Sequence, residues 1–188
     1  LFNYREGKNI QMLDVDVRGL LDCFHANGLA GVGIDDDTHG GLVWYLGVDG
    51  PSSATINGYG GAAVRAYTFA GAEDVIVVRS EVADLSSKSG PAAGFAMLTD
   101  STRVSLIDAS VDSVDAGWDD EMRGGGPNNE ANASGFYVAD DAGSVTIVRA
   151  CATGLDGYDG EYVVHDLSGR VRVVGTRDAL RCTTSRAR

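Results

Sequence analysis

Apolar positions along the chain repeat in one pattern of short strands. The copies of this pattern start at Ile10, Val75, Val104, Val145 and Val171. A second apolar residue follows two positions later, the spacing of a strand with one buried face, and a third follows directly after it. Because the adjacent third residue breaks the alternation, we expect a bend there and a second short strand after it. Inward positions of the second strands would include Ser80, Val82, Ala109 and Val111.

A glycine-led motif follows the repeated strands. It reads GFAML at 94–98, GFYVA at 135–139 and GEYVV at 160–164, with weaker versions at 31–35 and 61–65. A weaker copy of the first strand starts at Leu42. The distance from each glycine to the next copy is nearly constant, whereas the segment before the glycine varies. It spans 12 residues from Val82 to Gly94 and 24 from Val111 to Gly135.

Three short strands per repeat, constant at two corners and variable at the third, resemble the right-handed parallel β-helix of the pectin-lyase-like superfamily. The resemblance covers nearly the whole chain. It implies an all-β fold, a single-stranded right-handed parallel β-helix of about six coils over residues 1–174, in which stacked coils share one core. An immunoglobulin-like sandwich is the alternative, but it would not produce this constant register. The superfamily includes lyases, hydrolases, epimerases, viral tailspikes and adhesins, so the fold leaves the activity open.

The charge is strongly acidic and has an unusual composition. The chain has 27 acidic and 15 basic residues, a net charge of −12, and Lys8 and Lys88 are its two lysines. An aspartate-rich, lysine-poor surface is typical of proteins from salt-loving organisms, where screening removes the self-repulsion. A GC-rich genome is the alternative explanation. The acidic body argues against nucleic acid as a partner, and no apolar run is long enough to span a membrane.

Residues 175–188 form a basic tail on this acidic body. Residues 170–188 contain six Arg and one Asp, a net charge of +5, which leaves −17 on residues 1–169. We expect the tail to cap the end of the β-helix or to dock on a neighbouring subunit, with a homotrimer expected from the resemblance to β-helical spikes. The alternative is a loose chain end.

Three cysteines, Cys23, Cys151 and Cys182, do not form a disulfide framework. Cys151 lies within a repeated strand, where we expect a buried thiol that packs as a small hydrophobic group. One pair among the three stays open.

The longest excursion between strands, residues 114–134, is the first candidate ligand site. It carries Trp118, Asp119, Asp120, Glu121 and Arg123 beside three consecutive glycines. In pectin-lyase-like proteins this loop position borders the substrate cleft, which implies a tryptophan stacked on a sugar and carboxylates that bind it. The alternative is a surface loop whose tryptophan packs back on the coil.

The segment GIDDDTHGG at 33–41 is the candidate catalytic site. It loosely resembles the paired aspartates of polygalacturonase-type hydrolases, which implies acid and base roles for Asp35, Asp36 and Asp37. Asp119 and Asp120 are further candidates. The family's Asn-Thr-Asp motif is absent, and His39 follows too closely, so the constellation is incomplete.

Aspartates recur six positions after the motif glycines. Asp100, Asp141 and Asp166 would stack in neighbouring coils and hold calcium. The alternative is that aspartate favours turns, where its side chain accepts backbone N–H groups. The same alignment places His165 at a surface corner, and no other cofactor is expected.

Charged residues alternate at the outward position of the bend. This column contains Asp14, Leu46, Arg79, Asp108, Arg149 and Gly175. Because neighbouring coils lie about 4.8 Å apart, the run Arg79, Asp108, Arg149 predicts a small, exposed ion ladder that helps to hold the register.

Two functions from different classes fit these observations. The first is a non-enzymatic surface module of a viral spike, tail fibre or cell-surface protein, which recognises glycans or builds an assembly outside the cell. The second is a polysaccharide lyase or glycoside hydrolase that acts on acidic polysaccharide. Because no complete catalytic set is present, we favour the first, on the analogy of fold.

Overall fold

The computed structural model describes residues 64–87, 90–117 and 131–175 in full, and elsewhere the backbone of further strands. The described residues contain strands and no helix. The first six are β1 (Phe2–Tyr4), β2 (Lys8–Arg18), β3 (Leu21–Asp22), β4 (Gly28–Ile34), β5 (His39–Asp49) and β6 (Ser52–Ser53). The next six are β7 (Ala63–Phe69), β8 (Glu73–Val78), β9 (Glu81–Ser87), β10 (Ala92–Met97), β11 (Val104–Ile107) and β12 (Ser110–Ala116). The last five are β13 (Asn132–Val138), β14 (Val145–Val148), β15 (Cys151–Gly157), β16 (Gly160–Asp166) and β17 (Val171–Val174).

The strands form two parallel sheets that the chain visits in turn. One sheet has six strands in the order β1-β4-β7-β10-β13-β16. The other has eleven, in the order β15-β12-β9-β5-β8-β11-β14-β17, with β2 on β5 and β3 on β6, which also pairs with β9. From β7 to β15 each repeat adds one strand to the first sheet and two to the second. This all-β, all-parallel arrangement is compatible with a parallel β-helix and rules out the antiparallel sandwich for the described strands.

The five strong copies of the repeat pair in the predicted register. Val104 pairs with Val145 and Val145 with Val171. The weak copy is shifted by one residue from the prediction, because Gly41 pairs with Val75 and Leu42 with Ile76. A one-residue slip exchanges the faces of a strand, and this one brings the β-branched Val43 into the column of Val77. Trp44 pairs with Val78, so the residue that follows it at the bend is Tyr45 and not Leu46, as the bend column predicted.

The predicted inward positions are confirmed. Ser80, Val82, Ala109 and Val111 are all buried, as are the alternating apolar residues of β8, β11 and β14. Such alternation removes one face of each strand from water, at about 25 cal/mol per Å² of apolar surface.

Three aromatic residues of the six-stranded sheet stack along the core. The ring centroids of Tyr67 and Phe95 lie 4.5 Å apart, and those of Phe95 and Phe136 lie 5.5 Å apart, with nearly parallel planes. The stack follows from the register, in which Tyr67 pairs with Phe95 and Phe95 with Phe136. Burial raises the pKa of the Tyr67 hydroxyl well above its usual value of 10.0.

Two of the motif glycines lie where a strand of the six-stranded sheet closely approaches a strand of the larger sheet. Gly94 in β10 faces β12, and Gly135 in β13 faces β15. A Cβ atom on Gly94 would lie 2.6 Å from Cγ2 of Val111, and a Cβ on Gly135 would overlap with Ala152. Gly94 and Gly135 occupy the same register position, as predicted. Residues 61 and 160 do not share it, because Ala66 and Val163 take that place. At Gly94 and Gly135 the strand therefore has no room for a side chain opposite Val111 and Ala152.

The bend between the two strands of the larger sheet has a left-handed backbone. Arg79, Asp108 and Arg149 have φ values of 53°, 54° and 48°, which L residues other than glycine seldom adopt. This conformation turns the chain sharply after the adjacent apolar pair, as the interrupted alternation predicted. Gly175, with φ 137°, occupies the last of these positions.

Candidate functional site

The predicted catalytic residues and the predicted sugar-binding loop lie outside the described residues. These are Asp35, Asp36, Asp37, Trp118, Asp119, Asp120, Glu121 and Arg123. Their roles stay predictions.

The predicted aspartate column is wrong at its third member. Asp100 and Asp141 lie at equivalent, exposed positions of the turns 98–101 and 139–142. Asp166 pairs instead with Val138, three residues before Asp141, because Gly160 pairs with Asn132 and not with Gly135. No group of three or more His, Cys, Asp or Glu residues that could hold a metal ion occurs among the described residues.

The Asp166 side chain stabilises the turn that follows β16. Its Oδ1 accepts hydrogen bonds from the backbone N–H and the hydroxyl of Ser168, at 3.0 and 2.8 Å, and from the N–H of Gly169 at 3.0 Å. This is the turn-forming role that was the alternative for this residue. Calcium binding at Asp100 and Asp141 stays a prediction.

The same three-residue shift moves His165 away from the predicted corner. His165 lies within β16 and pairs with Tyr137 of β13, and Tyr162 pairs with Ser134. Sequence reasoning missed this pairing because it aligned Gly160 with Gly135. The signal that could have found it is the apolar pair Val163 and Val164, which aligns with Gly135 and Phe136.

Two columns of residues face outward from the six-stranded sheet and form the outer face. The core residues Val64, Ala92 and Ala133 directly precede the first column, and the core residues Phe95, Met97, Phe136 and Val138 flank the second, so strand alternation directs both columns away from the core. One column consists of Arg65, Ala93, Ser134 and Tyr162, and the other of Thr68, Ala96, Tyr137 and His165.

Three rings form a cluster on this outer face. The rings of Tyr162 and His165 stack with centroids 4.1 Å apart and planes 18° apart, and Tyr137 meets His165 edge-on at 5.5 Å. Tyr162 is 38% exposed. Its ring also lies over Gly160, where a Cβ atom would come within 2.7 Å of Tyr162 Cε2. The glycine of GEYVV therefore makes room for an aromatic ring.

Small residues lie beside this cluster, between it and an arginine of β7. Ala93, Ala96 and Ser134 are buried although they face outward. Arg65, from β7, interacts electrostatically with the Tyr137 hydroxyl, two strands away. Burial lowers the pKa of the Arg65 guanidinium, and Tyr137 acts in the opposite direction. Among the described residues, the electrostatic neighbour of Arg65 is thus a phenol and not a carboxylate.

This arrangement has the chemistry of a polar ligand site with an aromatic platform. The Tyr162 ring, which is 38% exposed, provides apolar contact, and its hydroxyl can form hydrogen bonds. The guanidinium of Arg65 can bind a carboxylate in two parallel hydrogen bonds. Because all four strands are fixed in one parallel sheet, these groups are held in place before a ligand arrives.

No protein-family model matches the chain, and no curated protein or solved structure matches it either. In the part of the chain that the structure describes, no helix is long and apolar enough to cross a membrane.

Proposed function

We propose that the chain is a right-handed, single-stranded parallel β-helix of about six coils that binds glycans through its outer face without acting on them. The coil number rests on the six-stranded sheet, which receives one strand from each repeat. The handedness rests on the general rule that connections between parallel strands of one sheet are right-handed.

The observation that carries this proposal is the ring cluster of Tyr137, Tyr162 and His165 beside Arg65. Large exposed ring faces are costly to leave in water unless a ligand covers them. A pyranose has one face of C–H groups that stacks on such a ring, while its hydroxyls bond to neighbouring polar side chains. The half-exposed Tyr162 ring is therefore the proposed platform.

Arg65 makes a sugar with a carboxylate the preferred ligand. The chain carries a net charge of −12, so an anionic ligand is repelled unless a local cation compensates. Arg65 is such a cation, and burial strengthens its interaction with any carboxylate that replaces water beside it. Burial weakens the solvation of the Arg65 charge, and an acidic glycan would neutralise that charge.

The wider context of the module follows by analogy of fold. We propose a surface protein outside the cell, of the viral spike, tail fibre or cell-surface type, assembled as a homotrimer. A polysaccharide lyase or glycoside hydrolase is the second prediction, and its candidate aspartates lie outside the described residues.

A glycan array that contains uronic-acid, sialylated, sulfated and neutral sugars tests this function. We expect retention of carboxylated glycans and no release of reducing ends or unsaturated products on long incubation. Turnover of a bound polysaccharide would favour the enzyme. The absence of any bound glycan at physiological and at high salt would contradict the proposal.

A further inference from the structure

An apolar column runs along the outward side of the larger sheet, through β8, β11, β14 and β17. In β8, Val75 and Val77 are buried in the core, so strand alternation directs Ile76 and Val78 outward. The register continues the position of Val78 through the next three strands. We call the resulting row the apolar stripe, and its members are Val78, Ile107, Val148 and Val174.

The apolar stripe is open to solvent. Val174 is 41% exposed, and Ile76, which lies beside the stripe, is 43% exposed. Val78, Ile107 and Val148 are partly exposed. Because neighbouring strands lie about 4.8 Å apart, these side chains form one continuous row. Proteins seldom leave such an apolar row in water unless another surface covers it.

The neighbouring outward face, on β9, β12 and β15, is polar instead. Its columns include Glu81, Ser110 and Cys151, and Ser86, Asp115 and Asp156. Cys151 is partly exposed and joined in a disulfide, contrary to the buried free thiol that its strand position predicted. An apolar column is therefore not a general feature of the outward strand positions of this acidic chain.

Charged residues line both edges of the apolar stripe, with opposite signs in each of two coils. In the coil of β8, Asp74 precedes the stripe and Arg79 follows it. In the coil of β11 the signs are reversed, because Arg103 precedes the stripe and Asp108 follows it. Within one chain these residues pair along the stack, Arg103 with Asp74 and Arg149 with Asp108. Each edge of the stripe is therefore a charge ladder.

A second copy of this chain, with its stack parallel to the first, carries the complementary pattern. Rotation about an axis parallel to the stack keeps each coil at its own height and turns the leading edge of one stripe toward the trailing edge of the next. Asp74 of one copy would then lie opposite Arg79 of its neighbour, and Arg103 opposite Asp108. Because both copies have the same strand spacing, a match at one coil is repeated at the next. Complementary charges set this register, and the stripe supplies the apolar contact.

We propose that the apolar stripe and its two charge ladders form the interface between parallel copies of the chain. This inference rests on the homotrimer of the proposed function and is independent of its glycan. The ring cluster with Tyr162 belongs to the other sheet, so the interface leaves it open. Residues 176–188 of the basic tail lie outside the described residues, and the interface does not depend on them.

Sedimentation of full-length variants at physiological salt tests the interface. Ile107→Lys places a charge in the middle of the stripe, and it makes the chain less acidic, so greater net repulsion cannot explain dissociation. We expect a trimeric wild type and a monomeric Ile107→Lys at the same concentration. Ser86→Lys is the matched control, the same new charge at a partly exposed outward position of β9, and it should stay trimeric. Val148→Thr keeps the side-chain shape and should raise the dissociation midpoint about tenfold, because it buries a hydroxyl in an apolar contact.

Cross-linking tests the parallel arrangement. Arg103→Lys keeps the positive charge and supplies an amine, which a zero-length carbodiimide joins to a carboxylate with loss of water. Oligomers mixed from copies labelled with light and heavy nitrogen identify links between chains. We expect an interchain link from position 103 to Asp108. Interchain links from position 103 to carboxylates of other coils alone would overturn the parallel register.

The outcomes for the interface and for the glycan can be told apart. A trimeric Ile107→Lys with a trimeric Val148→Thr of wild-type affinity, or equal dissociation of Ser86→Lys, would overturn the interface. A monomeric wild type would overturn it together with the proposed trimer. A dimeric wild type that Ile107→Lys dissociates would support the interface and correct the number of copies. Monomeric Ile107→Lys should still bind a carboxylated glycan with wild-type affinity per chain, because Arg65 and Tyr162 lie on the other sheet.

Discussion

Arg149 donates two hydrogen bonds to the carboxylate of Asp108 across adjacent strands, Nε to Oδ1 at 2.7 Å and Nη2 to Oδ2 at 2.9 Å. Both residues lie at the left-handed bend, one above the other. The predicted charge ladder is thus confirmed for this pair. Arg149, through its hydrogen bonds and its charge, holds the pKa of Asp108 below its ordinary value of 3.8, and Arg79 adds a smaller charge effect in the same direction.

The Asp108 pair gives a pH-dependent stability. Because the folded-state pKa of Asp108 is lowered, its contribution is present above the unfolded-state pKa and is lost as pH falls through the folded-state pKa. Asp108→Asn should therefore lower the melting temperature slightly at pH 7 in low salt. The difference should begin to shrink below the unfolded-state pKa and vanish once the pH is below the lowered folded-state pKa of Asp108, where the wild-type carboxyl is also neutral. It should also vanish at about 1 M salt.

Thermal unfolding of both proteins across this pH range measures the effect. Asp84→Asn is the control, since Asp84 is an exposed aspartate with the same left-handed backbone, at φ 50°. If the melting temperature of Asp108→Asn stays below that of the wild type by the same amount in acid, the loss comes from backbone conformation and not from the ion pair.

The close approach of β10 to β12 at Gly94 predicts that any side chain at this position destabilises the fold by steric overlap. Gly94→Ala places a Cβ 2.6 Å from Cγ2 of Val111 and 2.9 Å from the carbonyl oxygen of Gly135. We expect a loss of about 1–3 kcal/mol in the free energy of unfolding. Val111→Ala should relieve part of it, so that the double variant is more stable than the sum of the single losses predicts. Exact additivity in urea unfolding would contradict direct contact.

The strands β12 and β15 share a register position at which the backbone is left-handed. This position allows a comparison of a glycine with a non-glycine residue in the same conformation. Ser113 and Gly154 occupy it, with φ values of 63° and 62°. Gly154→Ala should cost about 1–2 kcal/mol, because an L residue must adopt a left-handed backbone. Ser113→Gly should be neutral or stabilising by up to about 1 kcal/mol for the same reason. Equal effects of the two variants on urea unfolding would contradict the assigned backbone.

The repeated strands were predictable because each copy carries its own apolar pair and bend within a few residues. The positions of Val75, Val104 and Val145 needed no knowledge of distant contacts. The alignment failed at Gly160, where the residue makes room for Tyr162 instead of for an opposing strand. Local sequence could not distinguish the two uses of glycine.

The candidate site was harder to predict than the fold because it exists only across strands. Arg65, Tyr137 and Tyr162 lie far apart in sequence and meet through a register that one misplaced glycine shifts by three residues. The sequence-based predictions of site residues instead relied on two segments rich in charged and polar side chains, residues 33–41 and 114–134.

Arg65 predicts how the outer face selects its ligand. Arg65→Gln should weaken binding of a carboxylated glycan by about tenfold to a hundredfold, the usual value of a charged hydrogen bond, and leave a neutral glycan nearly unaffected. Arg65→Lys should restore only part of the loss, because lysine lacks the planar fork. Arg103→Gln is the control, an exposed arginine already paired with Asp74 and Glu73. Titration calorimetry that shows equal losses for both glycans would contradict a carboxylate contact.

Binding of a carboxylated glycan to Tyr162→Ala and Tyr158→Ala tests the glycan-binding face most directly. Both tyrosines are exposed, at 38% and 69%, but Tyr158 lies in the turn before β16 and outside the ring cluster. Loss of a stacking ring should reduce affinity about tenfold in Tyr162→Ala, with wild-type affinity in Tyr158→Ala and both variants fully folded at the temperature of the titration. Wild-type affinity in Tyr162→Ala, or equal losses in both variants, would contradict binding at this face.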